Sequence, residues 1–158
     1  NDLIEGLYIE YYSTDSNSID SIGLIKEKGN YLNDKRTGYW ELFYSDGSLY
    51  ISGYYKNGLM VNEWNVYHRN GELKQKGNYQ NGKETGYWKF YYDTGKPARE
   101  GEFLKGERHK NWTLYHENKT VKAYFNYDEG KPIGIQKTYY EDGSLQSENN
   151  YINGVKVM

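Results

Sequence analysis

The 158-residue sequence predicts an all-β fold: an elongated, single-layer antiparallel β-meander built from 24-residue β-hairpin repeats. Three observations predict it. All four tryptophans, Trp40, Trp64, Trp88 and Trp112, recur every 24 residues, and Gln136 takes the fifth place. At the same spacing Tyr31, Tyr55, Tyr79, Phe103, Tyr127 and Tyr151 form an aromatic series six members long without an insertion. Glycine, which is placed by backbone need, fills four phases of this period. These are Gly23, Gly47, Gly71, Gly95 and Gly143; Gly29, Gly53, Gly77 and Gly101; Gly58, Gly82, Gly106, Gly130 and Gly154; and Gly38, Gly86 and Gly134. Of the 18 glycines only Gly6 falls outside them.

Each unit reads as two short strands and two turns. In one unit Gly38-Tyr-Trp-Glu-Leu-Phe-Tyr44 is followed by Ser-Asp-Gly-Ser48, then Leu49-Tyr-Ile-Ser-Gly-Tyr-Tyr55, then Lys-Asn-Gly58. Asp-Gly and Asn-Gly between aromatic, β-prone runs signal hairpins, because primed turns need the positive φ that Asp, Asn and Gly tolerate. The same signal returns at Asn70-Gly71, Asn81-Gly82, Asp142-Gly143 and Asn153-Gly154. No window carries a 3.6-residue period of useful length, and such frequent glycine weakens any helix. Strands are therefore expected near 7–12, 24–31, 38–44, 49–55, 62–67, 73–79, 86–92, 97–103, 110–115, 121–127, 134–140 and 145–151. With strands ~4.8 Å apart, a dozen would run to roughly 55–60 Å.

The two-residue period of a strand sorts side chains by face. Trp40, Leu42, Tyr44, Leu49, Ile51, Gly53 and Tyr55 fall on one side, and Tyr39, Glu41, Phe43, Tyr50, Ser52 and Tyr54 on the other. The tryptophan side is the expected core, made of Trp40, Trp64, Trp88 and Trp112 with Tyr55, Tyr79 and Phe103, the Gly53, Gly77 and Gly101 phase leaving gaps for neighbouring rings. Residues 1–158 read as a single repeat domain, with 1–22 a degenerate N-terminal capping hairpin and 23–154 about five and a half repeats. Gly6-Leu-Tyr-Ile-Glu-Tyr-Tyr12 echoes the 38–44 strand, followed by the polar stretch Ser13–Ser18, as terminal repeats are expected to be atypical. Met158 stands where the next strand-opening glycine would fall.

These residues carry a family likeness. Gly86-Tyr-Trp-Lys-Phe-Tyr-Tyr-Asp-Thr-Gly95 with Gly101-Glu-Phe-Leu-Lys-Gly106, and the parallel Gly38–Gly47 and Gly53–Gly58 segments, resemble the MORN-variant repeat over residues 23–154. The resemblance implies an architecture but no reaction. Some bacterial members are named as antitoxins of toxin–antitoxin systems, and related eukaryotic repeats are associated with scaffolding, membrane attachment and phospholipid contact. The sequence departs from the pattern where Lys119 replaces the turn glycine, Gln136 the tryptophan, and Phe125 and Asn149 the strand glycine, so less regular packing is expected beyond about residue 115.

Catalytic and metal chemistry find little material. The 158 residues contain no cysteine, which excludes thiol nucleophiles, disulfides and Cys-based metal sites. His68 and His116 share the phase of Tyr44, Tyr92 and Tyr140 and lie about four strands, ~19 Å, apart, too far to share a metal. His109 reads as part of the charged turn 105–110. Glu100, Glu102 and Glu148 could suggest a glycosidase pair, but Lys74, Lys76 and Lys122 at equivalent positions describe a charge-mixed solvated face. No nucleophile elbow or phosphate-binding loop occurs. No catalytic residue, metal or cofactor is expected.

Binding finds more. Phe43, Tyr67, Tyr91, Tyr115 and Tyr139 form a second aromatic column opposite the tryptophans, with rings roughly 9–10 Å apart. Tyrosine is favoured at interfaces, so the column is a candidate partner-binding ladder. The alternative is packing against cross-strand neighbours such as Tyr50, Tyr54 and Tyr124, as aromatic cross-strand pairs do, or a bulge that turns the column inward. The expected function is a non-catalytic protein–protein interaction module or scaffold, antitoxin-like where the resemblance is followed. The alternative is binding of lipid headgroups or carbohydrate at a bacterial cell surface or membrane. A net charge of −2 argues against nucleic acid as a partner. The expected state is a monomer or a weak edge-strand dimer. Starting at Asn1, the sequence fits either a cytoplasmic bacterial protein or one exported after removal of a signal.

Overall fold

The computed structural model describes residues 3–13 and 23–157. Within them the strands are β1 (Gly6–Tyr11), β2 (Ile25–Leu32), β3 (Lys35–Phe43), β4 (Leu49–Lys56), β5 (Leu59–Tyr67), β6 (Leu73–Gln80) and β7 (Lys83–Tyr91). The series continues with β8 (Pro97–Leu104), β9 (Glu107–Tyr115), β10 (Val121–Asp128), β11 (Lys131–Pro132), β12 (Gly134–Tyr139), β13 (Leu145–Ile152) and β14 (Val155–Val157). All belong to one open antiparallel sheet in which sequence neighbours pair up to β10; β12, β13 and β14 follow, and the short β11 also lies on β10. Of the capping unit expected over 1–22, β1 pairs with β2, while residues 14–22 lie outside the described residues, as does Met158.

The described residues hold fourteen strands rather than a dozen, and β3, β5, β7 and β9 start three residues before their expected bounds. The cause is the glycine once read as the strand opening. Asn57 (φ 52) and Gly58 (φ 81) close a two-residue primed turn between the paired Lys56 and Leu59, so the new strand begins at once. Gly38 (φ 69) then sits inside β3 at a bulge, where the pairing jumps from Asn30↔Thr37 to Lys28↔Glu41. Asn62 and Lys110 hold the same left-handed conformation in β5 and β9. This places His109 within β9, not in a turn.

The Asp-Gly loops differ from the expected primed pairs. In 45–47 only Gly47 (φ 85) is left-handed, its N–H bonding Tyr44 O (2.9 Å) while Tyr44 N–H reaches Ser48 O (2.8 Å), a three-residue hairpin loop. Asp46 accepts from the Ser48 hydroxyl and N–H, which holds its carboxyl below the usual range. Lys119 keeps the loop at 117–119 by adopting φ 72 itself. A left-handed conformation costs an L-residue about 1 kcal/mol or more, so Lys119→Gly is expected to raise the unfolding free energy by about 0.5–1 kcal/mol in denaturant melts.

A second bulge, near the loop-side end of each hairpin, changes which residues face the core. Leu42 pairs with Ile51, but Phe43 pairs with Leu49, so Leu49 shares the face of Phe43 rather than that of Trp40. The tryptophan face is otherwise as the alternation places it. Trp40, Trp64, Trp88 and Trp112 are at most 2% exposed, while Tyr55, Tyr79 and Phe103 are half-buried. Each indole lies flat on the glycine of the preceding strand; a Cβ built on Gly53 would stand 2.1 Å from Trp64 Cδ2. Flanking rings meet it edge-on, as Tyr55 (5.0 Å) and Tyr79 (6.1 Å) meet Trp64, and these contacts run unbroken from Tyr31 to Trp112. Edge-to-face pairs add about 0.5–1.5 kcal/mol each beyond area burial, which lets a single layer without an aliphatic core hold together.

Polar groups stitch the units. The turn glycines Gly58, Gly82 and Gly106 donate their N–H to Arg36, Met60 and Glu84 O of the preceding hairpin, each at 2.9 Å. On the opposite margin the Tyr44 and Tyr92 hydroxyls donate to Tyr67 O (2.8 Å) and Tyr115 O (2.7 Å). His68 and His116 take the same place, with Nε2 3.2 Å from Tyr91 O and 2.9 Å from Tyr139 O. Since a carbonyl only accepts, Nε2 carries the proton in both. In the first repeat buried Glu27 takes two bonds from Arg36 (2.7 and 2.8 Å), whose guanidinium lies 4.2 Å above the Trp40 ring. Burial works against the Arg36 charge, but the Tyr31 and Tyr55 hydroxyls and Glu27 more than offset it and raise its pKa.

Beyond residue 115 the meander continues, with two departures that answer each other. Gln136 is buried, and its Nε2 donates to Asn126 O at 3.0 Å, as Trp112 Nε1 donates to Glu102 O at the equivalent place. Phe125 stands where an indole would need glycine. The ladder does loosen here: β11 holds only two residues, and β10 pairs with β12 only through Ala123↔Thr138 and Tyr124↔Lys137.

Candidate binding surface

The face opposite the tryptophans carries a charge-mixed row across the strands: Lys28, Glu41, Ser52, Asn65, Lys76, Lys89, Glu100, Thr113, Tyr124, Lys137 and Glu148 are successive cross-strand partners. Several are paired, Lys28–Glu41 at 2.8 Å and Lys137–Glu148 at 3.1 Å. Such exposed pairs contribute about 0–1 kcal/mol each. They keep the face soluble and set its pattern.

Phe43, Tyr67, Tyr91, Tyr115 and Tyr139 lie at the loop-side ends of β3, β5, β7, β9 and β12, and all five are half-buried. Lys28 Nζ lies 5.3 Å over the Phe43 ring, and Tyr139 meets Tyr124 edge-on at 6.0 Å. The Tyr115 hydroxyl donates to Glu100 (2.7 Å); burial, then this bond, push its pKa well above the usual phenol range. Tyr87, on the same face, is raised first by burial and then by Glu100.

The rings that reach solvent are others. Tyr39 (45% exposed), Tyr54 (46%), Tyr87 (50%) and Tyr124 (48%) occupy this face, with Tyr39 and Tyr54 paired across β3 and β4 at 5.1 Å. The sequence names Tyr54 and Tyr124 only as packing partners in the alternative reading of the ladder, and does not single out Tyr39 or Tyr87. The available signal was their place in mid-strand, away from the bulges at the loop-side margin.

Glu102 is engaged by Lys110 (2.9 Å), so neither it nor Glu100 faces a shared cleft as a free acid. His109 is half-buried on β9, its Nδ1 3.6 Å from Asp128 and without a hydrogen bond. Among the described residues no three His, Asp or Glu side chains group as a metal site would require.

The profile of the MORN repeat variant matches residues 36–57, 60–81, 84–105 and 132–153. The chain belongs to the MORN repeat variant family. The hairpin of β9 and β10 lies between the last two matches, and it is the one that carries Lys110, Lys119 and Phe125 where the repeat has glycine. No curated protein matches the chain. MORN repeats generally mediate interaction with proteins or membrane lipids, and the sheet described above has the character of such a non-catalytic binding module.

Proposed function

We propose that this MORN repeat chain is a non-catalytic interaction module that presents its tyrosine face to another protein. The observation that carries the reading is the set of four half-exposed tyrosines, Tyr39, Tyr54, Tyr87 and Tyr124, on a face of mixed charge in which Lys28–Glu41 and Lys137–Glu148 are paired. Rigid amphipathic rings in a polar surround of mixed charge are what protein interfaces favour, whereas an anionic surface calls for a continuous basic patch. Phe43, Tyr67, Tyr91, Tyr115 and Tyr139 support this face from its loop-side margin, Tyr139 through its contact with Tyr124. Antitoxin-like binding, which the resemblance implied, is one form this function takes.

The test is photo-crosslinking capture from the native host with residue-level mapping, comparing wild type with a Tyr39→Ala, Tyr54→Ala, Tyr87→Ala triple variant. Each substitution is expected to change stability by less than ~0.5 kcal/mol, while capture of the mapped partner falls at least tenfold, as for interface hot spots. Undiminished capture at the same crosslink sites refutes the assignment. Flotation of the chain with anionic vesicles at low salt, abolished by the same substitutions, would give the face to lipid instead.

A further inference from the structure

The bulge near the loop-side end of β2, β4, β6, β8, β10 and β13 inserts one extra residue opposite the strand before it, and these residues form their own series: Lys26, Tyr50, Lys74, Ala98, Lys122 and Gln146. Five are long side chains and one is a methyl group. At Ala98 the sheet margin is hollowed into a pocket of about 300 Å³, at the lower end of the range of small-molecule sites. The next residue departs from its series too. Arg99 stands where the other repeats have Glu27, Ile51, Gln75, Ala123 and Ser147.

These departures meet in one place. Arg99 lines the pocket with Lys74 and Lys122, the walls on its side of the sheet are Phe90, Tyr92 and Leu114, and no carboxylate lines it. Among the described residues none of the three cations has a carboxylate within ion-pair distance, and the Arg99 guanidinium makes no hydrogen bond; it lies 4.2 Å over the Phe90 ring. Burial, then the nearby charge of Arg108, depress the Arg99 pKa. A half-buried guanidinium packed on a ring and left without an acceptor is poised to take two oxygens of an oxyanion in its planar fork. Three positive charges around one opening favour a dianion over a carboxylate. The space exceeds that of a bare phosphate, and its remaining walls are two rings and Leu114.

We propose that the Ala98 pocket binds a phosphomonoester on a small organic body, with Arg99 gripping the phosphoryl oxygens, Lys74 and Lys122 flanking them, and Phe90, Tyr92 and Leu114 lining the space for the organic part. The site is separate from the tyrosine face and does not rest on the protein-binding reading.

The test is titration of the whole chain with phenyl phosphate, inorganic phosphate and benzoate, followed by calorimetry and by NMR shifts of the Ala98 methyl group and the Arg99 side-chain N–H. Affinity is expected to fall in that order, with saturable shifts at both positions and weakening by added salt. Arg99→Gln is expected to weaken phenyl phosphate at least tenfold. Ala98→Tyr, which restores the ring found at Tyr50, is expected to abolish binding while the melting temperature stays at or above wild type. Absence of saturable phenyl phosphate binding, or binding indifferent to both substitutions, overturns the proposal. So does binding confined to vesicles containing phosphatidic acid, which would make the ligand a membrane surface.

Discussion

Trp88→Ala is expected to lower the unfolding free energy by about 3–5 kcal/mol, the range for removing a large aromatic from a packed interior. The indole is 2% exposed, lies between the edges of Tyr79 (5.2 Å) and Phe103 (5.7 Å), and donates through Nε1 to Thr85 O. Its removal breaks the aromatic chain in mid-sheet, and with no second layer no other element can move in to fill the gap. The reciprocal change tests the same geometry from below. A Cβ at Gly77 would stand 2.1 Å from Trp88 Cδ2, so Gly77→Ala must lift the ring off the strand, at a cost of about 1–3 kcal/mol as for other overpacked sites. Chemical denaturation of both variants reads the effect directly. A Trp88→Ala midpoint equal to wild type would show that the tryptophan column does not hold the sheet.

The period, the hairpins and the buried tryptophan column were legible because each rests on residue types with few alternatives: a wide ring, a glycine beneath it, and a pair tolerant of positive φ. Two features were not. A bulge adds one residue without leaving a mark in composition, so counting by twos past Tyr44 placed Leu49 on the wrong face, although Phe43 pairs with it. Gly38 was read as a boundary because a glycine with positive φ serves turns and bulges alike, and the pairing of Leu32 with Lys35 in its own hairpin shows that the strand starts earlier. The aromatic face opposite the tryptophans was legible, but not which of its rings reach solvent. Which tyrosines of that face stay uncovered does not follow from alternation or from the size of the partner: Tyr39 and Tyr87 are exposed opposite Tyr54 and Glu102, while Tyr91 and Tyr115, beside the bulges, are half-buried opposite Pro97 and Val121.

Phe125 and Gln136 are expected to behave as one exchangeable unit. In four hairpins the pair is glycine below and tryptophan above, as with Gly101 and Trp112, where a Cβ would lie 2.3 Å from the indole. In the fifth the bulk has moved to the lower strand as Phe125, and the upper residue keeps only the donor, Gln136 Nε2 to Asn126 O. Gln136→Trp alone brings an indole onto the Phe125 side chain and is expected to cost about 2–3 kcal/mol. Phe125→Gly alone empties the space beneath Gln136 and is expected to cost about 3 kcal/mol or more. Together they rebuild the arrangement of the other repeats, so the double variant should be more stable than the sum of the singles by about 2–3 kcal/mol, at the upper end of coupling between contacting residues. Denaturant melts of the four proteins close the cycle. Additive losses would mean that Gln136 does not stand in for an indole, and that its hydrogen bond to Asn126 is incidental to how this hairpin joins the next.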